Sequence, residues 1–334
     1  MSMTKPNIIW IQCDELRTDA LGCYGNRYAS MQTPNVDRIA EMGTRFTNTF
    51  CNSSVCVASR TSILTGLPPV ATGVYHNEGT WPTYQMSHSM VTFPQVFASN
   101  GYRTANFGKS HVHSSFEVWQ HSNTDGASMA EFFDIVSRDD PSLIRRKDSS
   151  VVIGGQFPAD VQFPAERVTQ NALKWIEQVF DAPFLVRLSY LQPHTPVLPP
   201  APFDTLYADS NFPRTTQINP NGSQYERLFA QYAGAAELSE DELFRVQSEY
   251  YGLMARIDIE VGHILNYLDE NNLLEQTIIV FDADHGTSLG DGGRFQKQSF
   301  APESHRIPRI IAWKDTLVQG DTSNEINEGL DLAN

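Results

Sequence analysis

The chain has 334 residues, 40% hydrophobic and 19% charged, which allows a sizeable core and excludes wholesale disorder. Its 24 basic and 39 acidic residues leave a formal net charge of −15, a field that repels phosphate backbones and excludes a general nucleic-acid binder. No run of eighteen apolar residues is present to span a membrane, while a small anionic substrate stays compatible because a local basic pocket overrides the global field.

The opening stretch MSMTKPNIIWIQCDE lacks the basic, apolar and small-residue segments of a secretory leader. The expected location is the cytoplasm, or the periplasm or exterior if a leader has been removed. Residues 7–12 (NIIWIQ) are a short branched apolar run and predict a buried strand. Residues 33–42 predict a helix with Thr33 as N-cap, Pro34 at its first position and Gly43 past its end. Residues 59–65 predict a helix closed by Gly66, and residues 93–99 lead through Asn100-Gly101 into a strand at 104–107. Val168, Ala172, Trp175, Ile176 and Val179 recur at helical spacing within 166–180. A strand at 184–190, a long helix at 240–270 and strands at 277–282 and 309–313 complete the reading. The four cysteines, Cys13, Cys23, Cys51 and Cys56, form no CxxC pair and are expected to be reduced and mostly buried.

This alternation predicts an α/β fold: a large, mainly parallel or mixed sheet sandwiched by helices. The polar, proline-rich stretches 110–164 and 192–239 are too long for plain connections and predict substrate-side excursions. In such sheets ligands bind beyond the carboxyl ends of the strands. Four of those ends carry Cys13-Asp14-Glu15, then Gly108-Lys109-Ser110-His111-Val112-His113, then Gln192-Pro193-His194, then Asp282-Ala283-Asp284-His285-Gly286. Any one of them alone reads as a turn, a cap or a structural histidine. Titratable groups at all four, on one rim, predict a site.

The chemistry they suggest is a divalent cation held by Asp14 and Asp284, with His285 or Glu15 completing the set. Carboxylate oxygens favour a hard cation, and an imidazole nitrogen moves the preference toward manganese or zinc. Lys109, His111 and His194 would then face an anionic ligand. Cys56 stands just ahead of the predicted helix, with Arg60 one turn on along the same face. A helix N-terminus there favours a thiolate and an anion. The plainer alternative is a buried cysteine beside an arginine paired at the surface.

These residues resemble the type I sulfatase family, within the alkaline phosphatase superfamily. Its signature Cys-x-Pro-Ser-Arg reads here Cys56-Val57-Ala58-Ser59-Arg60, followed by Ile63-Leu64-Thr65-Gly66. The flanking segments Asp19-Ala20-Leu21-Gly22-Cys23-Tyr24-Gly25, Thr33-Pro34-Asn35-Val36-Asp37 and Gly108-Lys109-x-His111 match in family order. So do Pro193-His194-x-Pro196, Asp284-His285-Gly286 and Lys297 ahead of Glu303 and Pro308.

The resemblance implies one alkaline-phosphatase/sulfatase-like catalytic domain over residues 5–334, with the family's C-terminal subdomain largely absent. It implies a sulfuric ester hydrolase whose Cys56 is oxidised after translation to formylglycine, the hydrate being the nucleophile. Arg60 would orient that residue, His111 assist it, Lys109 and Lys297 bind sulfate oxygens, and His194 serve the leaving alcohol. Asp14, Glu15, Asp284 and His285 would hold one divalent cation, calcium first and manganese second. The implied partners are a small-molecule or glycan sulfate ester and a formylglycine-generating or anaerobic sulfatase-maturating enzyme. Two departures bear on this: Ala58 replaces the signature proline, and Glu15 stands where Asp, Asn or Gln is usual. The alternatives are a phosphonate monoester hydrolase or phosphodiesterase of the same fold, or an unmatured or truncated protein that only binds an anionic glycan. Trp81, Tyr84, Trp119 and Tyr190 are available for stacking a sugar or aryl ring, or for the core.

Overall fold

The first apolar run becomes β1 (Asn7–Cys13), which lies in the middle of an eight-stranded sheet. The structure, a computed structural model, describes residues 5–333 except 27, 78–89, 113–116, 128, 146–151, 215–216 and 233–237. In chain order the elements begin with α1 (Pro34–Glu41), β2 (Gly43–Phe50), α2 (Cys56–Thr65) and α3 (Pro69–Thr72). They continue with α4 (Phe93–Ser99), β3 (Arg103–Gly108), β4 (His121–Asn123), α5 (Met129–Val136), β5 (Ile144–Arg145) and β6 (Val152–Gly154). Then come α6 (Pro164–Ile176), β7 (Phe184–Tyr190), α7 (Gln224–Tyr232) and α8 (Glu240–Glu270). The last are β8 (Thr277–Ala283), α9 (Pro302–His305), β9 (Arg306–Ala312) and β10 (Asp321–Glu328). The sheet order is β10-β2-β9-β8-β1-β7-β3-β4, parallel from β8 through β4 and antiparallel where β9 meets β8 and β2.

Side chains alternate between the two faces of a strand. Ile9, Ile11 and Cys13 enter one core with α1, α6 and α8, while Trp10 enters another with Ile63 and Leu64 of α2. On the α2 face the three central strands grow more polar toward their carboxyl ends. Trp10 gives way to Gln12, Leu185 to Arg187 and Ser189, and Val280 to Asp282, all of them buried. The next alternate residues beyond β1 and β8 are Asp14 and Asp284. The sheet therefore changes from an apolar floor to a charged rim within two side-chain repeats.

The long stretches 110–164 and 192–239 hold short elements of their own, β4, α5, β5, β6 and α7, rather than plain connections. Two expectations are corrected. The helix predicted at 59–65 starts at Cys56, with Val55 as the extended residue before it. Thr33 precedes α1 as expected but makes no side-chain cap; its hydroxyl accepts the Gly22 amide at 2.8 Å. Asp258 on α8 supplies the cap from across the fold, accepting the Asn35 and Val36 amides at 3.1 and 2.8 Å. Burial pushes its carboxyl up to about 6 against the pull of those amides. Asp258→Ala leaves the buried Val36 amide and the half-buried Asn35 amide without an acceptor and is expected to cost about 2 kcal/mol in urea unfolding. A loss under about half a kcal/mol would show that α1 caps itself.

Candidate active site

Four strand ends and the first turn of α2 meet on the rim. Gly108 makes one of these junctions possible: its φ is +86°, and a Cβ there would lie 2.2 Å from the Ser189 carbonyl oxygen. That close approach lets the Lys109 amide donate to the same carbonyl at 2.8 Å, and the lysine Nζ pairs with Asp14 at the end of β1. Gly66, at φ +67°, closes α2 as its position predicts.

Cys56 is buried at the start of α2, and its Sγ lies 3.1 Å from His285 Nε2, 3.8 Å from Asp14 Oδ1 and 3.9 Å from Lys109 Nζ. Arg60, one turn along, is fully buried rather than paired at the surface. Its Nε donates to Asp284 Oδ2 at 2.8 Å and its Nη2 to Asp14 Oδ2 at 3.2 Å, so one planar fork ties two strand ends together. Its Nη1 reaches Ser189 Oγ at 2.7 Å and the Lys109 carbonyl at 3.0 Å. Asp284 Oδ1 accepts the His285 and Glu15 amides at 2.9 and 3.2 Å. His285 Nδ1 lies 2.9 Å from the Gly286 carbonyl, a partner that leaves Nε2 toward Cys56. Lys109 Nζ pairs with Asp14, and Lys297 Nζ pairs with Glu15. His194 Nε2 lies 3.4 Å from Glu15 Oε1.

In a chain of net charge −15, the buried cations Arg60, Lys109 and Lys297 gather here around His285. Burial and Asp14 push the Cys56 thiol up, but Lys297, His285 and Lys109 together carry it well below its ordinary value. Burial likewise raises Asp14, yet Lys109, His194, Arg60 and Lys297 hold it well below the usual carboxylate range. Burial lowers His285, but Asp284 and Cys56 raise it to about 9. Burial lowers His194 below its ordinary value despite Glu15. Four residues in or beside the cluster carry left-handed backbone: Glu15, His111, Gln296 and Gln298, at φ 61°, 42°, 64° and 67°. Such strain persists only where the surroundings fix it, and it concentrates at functional sites.

One donor atom each from Asp14, Cys56, Asp284 and His285 lie within 4.8 Å of one another, and Asp14, Glu15 and His194 form a second such group. Two ionised carboxylates with an imidazole nitrogen fit a hard or intermediate divalent cation, and calcium and manganese both suit that set. Glu15 is engaged by Lys297 and His194 rather than by the Asp14–Asp284 pair. His111 Nδ1 is buried and without a hydrogen-bond partner among the described residues.

Trp119 is 9% exposed and packs in the core, and Tyr190 is fully buried with its hydroxyl 2.8 Å from Thr169 Oγ1, so neither offers a stacking face. Trp81 and Tyr84 lie outside the described residues, as does His113. All four cysteines are free, three of them buried.

The sequence reading passed over Arg187. It is fully buried on β7, with its guanidinium carbon 5.1 and 5.3 Å from the ring centres of Trp10 and Trp119. A lone arginine in the buried run FLVRLSY is the signal that could have found it.

A profile of the sulfatase family matches residues 6–334. The chain is 29% identical over 334 residues to iduronate 2-sulfatase of Mus musculus, covering 91% of this chain and 59% of that protein's length. It is 27% identical to an arylsulfatase of Clostridium perfringens, covering 98% of this chain and 73% of that one. Among solved structures, the phosphonate monoester hydrolase of Agrobacterium radiobacter matches with a TM-score of 0.77 at 20% identity, over 98% of this chain and 72% of that chain. A protein solved with its substrate D-glucosamine-2-N,6-O-disulfate matches with a TM-score of 0.74 at 22% identity, over 99% of this chain and 75% of that one. At those identities the likeness is one of fold.

Proposed function

The chain belongs to the sulfatase family, and from that premise we propose that it hydrolyses a sulfate monoester, with residue 56 as the nucleophile once Cys56 has been converted to formylglycine. The observation that carries this reading is the placement of Cys56. It sits at a buried helix start, against His285, Asp14 and Lys109, where three cations converge. Formylglycine at residue 56 would supply a hydrated aldehyde, an oxygen nucleophile with two hydroxyls on one carbon. Asp14, Asp284 and His285, with Glu15 beside them, would hold a divalent cation, which would supply fixed positive charge to an anionic ligand. Conversion of Cys56 requires a formylglycine-generating or anaerobic sulfatase-maturating enzyme as partner.

The chain's own residues then divide the work. Arg60 holds the Asp14 and Asp284 carboxylates in place and so orients the start of α2. Lys109 and Lys297 are fixed beside residue 56 by their carboxylate partners and face the non-bridging sulfate oxygens as preorganised charges. His111, on the strap that carries Lys109, assists the nucleophile. His194 protonates or stabilises the departing oxygen from the Glu15 side, where its Nε2 lies. The substrate is a small-molecule or glycan sulfate; among the described residues no helix is long and apolar enough to cross a membrane.

The second reading, a phosphonate monoester hydrolase, is favoured by the fold match at TM-score 0.77. Both anions present tetrahedral oxygens to the same cations. Side-by-side turnover of 4-nitrophenyl sulfate and the 4-nitrophenyl monoester of phenylphosphonate, which share a leaving group, separates them. The sulfate ester is expected to give the larger kcat/KM, and a larger value for the phosphonate would overturn the assignment.

A further inference from the structure

We propose that Arg187 is a positioning residue for Lys109: its buried guanidinium holds the backbone of the 108–111 strap and so fixes where the lysine reaches the bound anion. This rests on the sulfate-binding role given to Lys109 above. Arg187 Nη2 donates to the carbonyls of Lys109 and Ser110 at 3.3 and 3.2 Å. Its Nε donates to Asn106 Oδ1 at 2.7 Å, and Asn106 Nδ2 in turn reaches the Gly108 carbonyl at 3.2 Å. Its Nη1 reaches Gln12 Oε1 at 3.5 Å, and Gln12 Nε2 donates to Asp282 Oδ1 at 3.2 Å. The ring faces of Trp10 and Trp119 cover the guanidinium.

Among the described residues the hydrogen-bond partners of buried Arg187 are neutral side-chain and backbone oxygens, and a buried charge without a carboxylate partner is costly. What that cost secures is three consecutive carbonyls, those of Gly108, Lys109 and Ser110, held directly or through Asn106. The next residue, His111, is the one in strained left-handed backbone at φ 42°, a conformation that needs its approach fixed. Lysine has a flexible four-carbon stem, so anchoring its root removes freedom the bound anion would otherwise have to remove. One arginine nitrogen, Nη2, meets both carbonyls while Nε and Nη1 hold Asn106 and Gln12; lysine and glutamine each offer a single donor nitrogen and cannot keep all of these partners at once.

The test is a double-mutant cycle of Arg187→Gln and Lys109→Ala, read as the Kd for inorganic sulfate by calorimetry with calcium present. Arg187→Gln is expected to weaken sulfate roughly tenfold when Lys109 is present and less than about threefold in the Lys109→Ala background. A purely structural role moves both backgrounds equally, and equal losses overturn the proposal. If Arg187→Gln does not fold, Asn106→Ala, which removes the acceptor of Nε, takes its place in the cycle. It is expected to give a smaller loss that still depends on Lys109, and independence from Lys109 overturns the proposal. A wild type that binds no sulfate also overturns it. A wild type that binds sulfate with the expected coupling but turns over no sulfate ester sinks the hydrolase reading alone.

Discussion

Asp14→Ala and Asp284→Ala are each expected to lower kcat on a sulfate ester by roughly a hundredfold or more, the scale of disturbing a catalytic cation. Both carboxylates are fully buried at strand ends and held ionised, and both accept from Arg60. Either change removes a ligand and leaves the guanidinium with one carboxylate partner instead of two, so some stability is lost as well. Asp284→Asn separates the two effects. It keeps an oxygen for the His285 and Glu15 amides while removing the negative charge, and it should melt closer to wild type while being as inactive. Calcium should raise the melting temperature of wild type but not of the variants, because a ligand stabilises only the state that binds it. More than roughly a tenth of wild-type kcat in either alanine variant would contradict the ligand role.

Lys109 and His194 act at opposite ends of the scissile bond in this account. Lys109 approaches residue 56 from the end of β3, whereas His194 stands on the Glu15 side. The sulfate group is common to all substrates, so Lys109→Ala should lose a similar factor, roughly a hundredfold, on alkyl and aryl sulfates. The leaving oxygen differs. A 4-nitrophenolate departs without a proton, while a sugar alkoxide needs one, so His194→Ala should cost about a hundredfold on an alkyl sulfate and little on 4-nitrophenyl sulfate. Measuring kcat/KM over a series of leaving groups tests this. A slope unchanged by His194→Ala would remove it from the acid role and leave it bracing its loop.

The central strands were legible because burial on both faces leaves an apolar signature. The bounds 184–190 and 240–270 read from the sequence coincide with β7 (Phe184–Tyr190) and α8 (Glu240–Glu270). The sheet's other edge was not legible. β2 reads GTRFTNTF and is mostly half-buried, and β10 reads DTSNEINE and is largely exposed; neither alternates strongly, and both are held by their partners in the ladder. The cap from Asp258 on α1 also lay beyond local reading, since the two residues it satisfies are 222 and 223 positions away. Strand-end logic brought Asp14, Glu15, Lys109, His194, Asp284 and His285 to one rim. It could not rank them: nothing in the pattern tells that Glu15 pairs with Lys297 while Asp14 takes Arg60 and Lys109. Arg187 escaped for a related reason, because its partners are backbone carbonyls, which carry no residue signature.

The most direct test of the central claim is the mass of tryptic peptide 46–60, FTNTFCNSSVCVASR, after co-expression with a formylglycine-generating enzyme. The peptide holds both Cys51 and Cys56, and Cys51 is buried away from the cations, with its thiol pushed up by burial and by Asp284. The account predicts a loss of about 18 Da, the exchange of a thiol for an aldehyde, placed by fragmentation at residue 56 and not 51. Turnover of 4-nitrophenyl sulfate should rise with the converted fraction. An unshifted peptide from protein that turns over the ester would contradict the account, since residue 56 would then be working as a thiol.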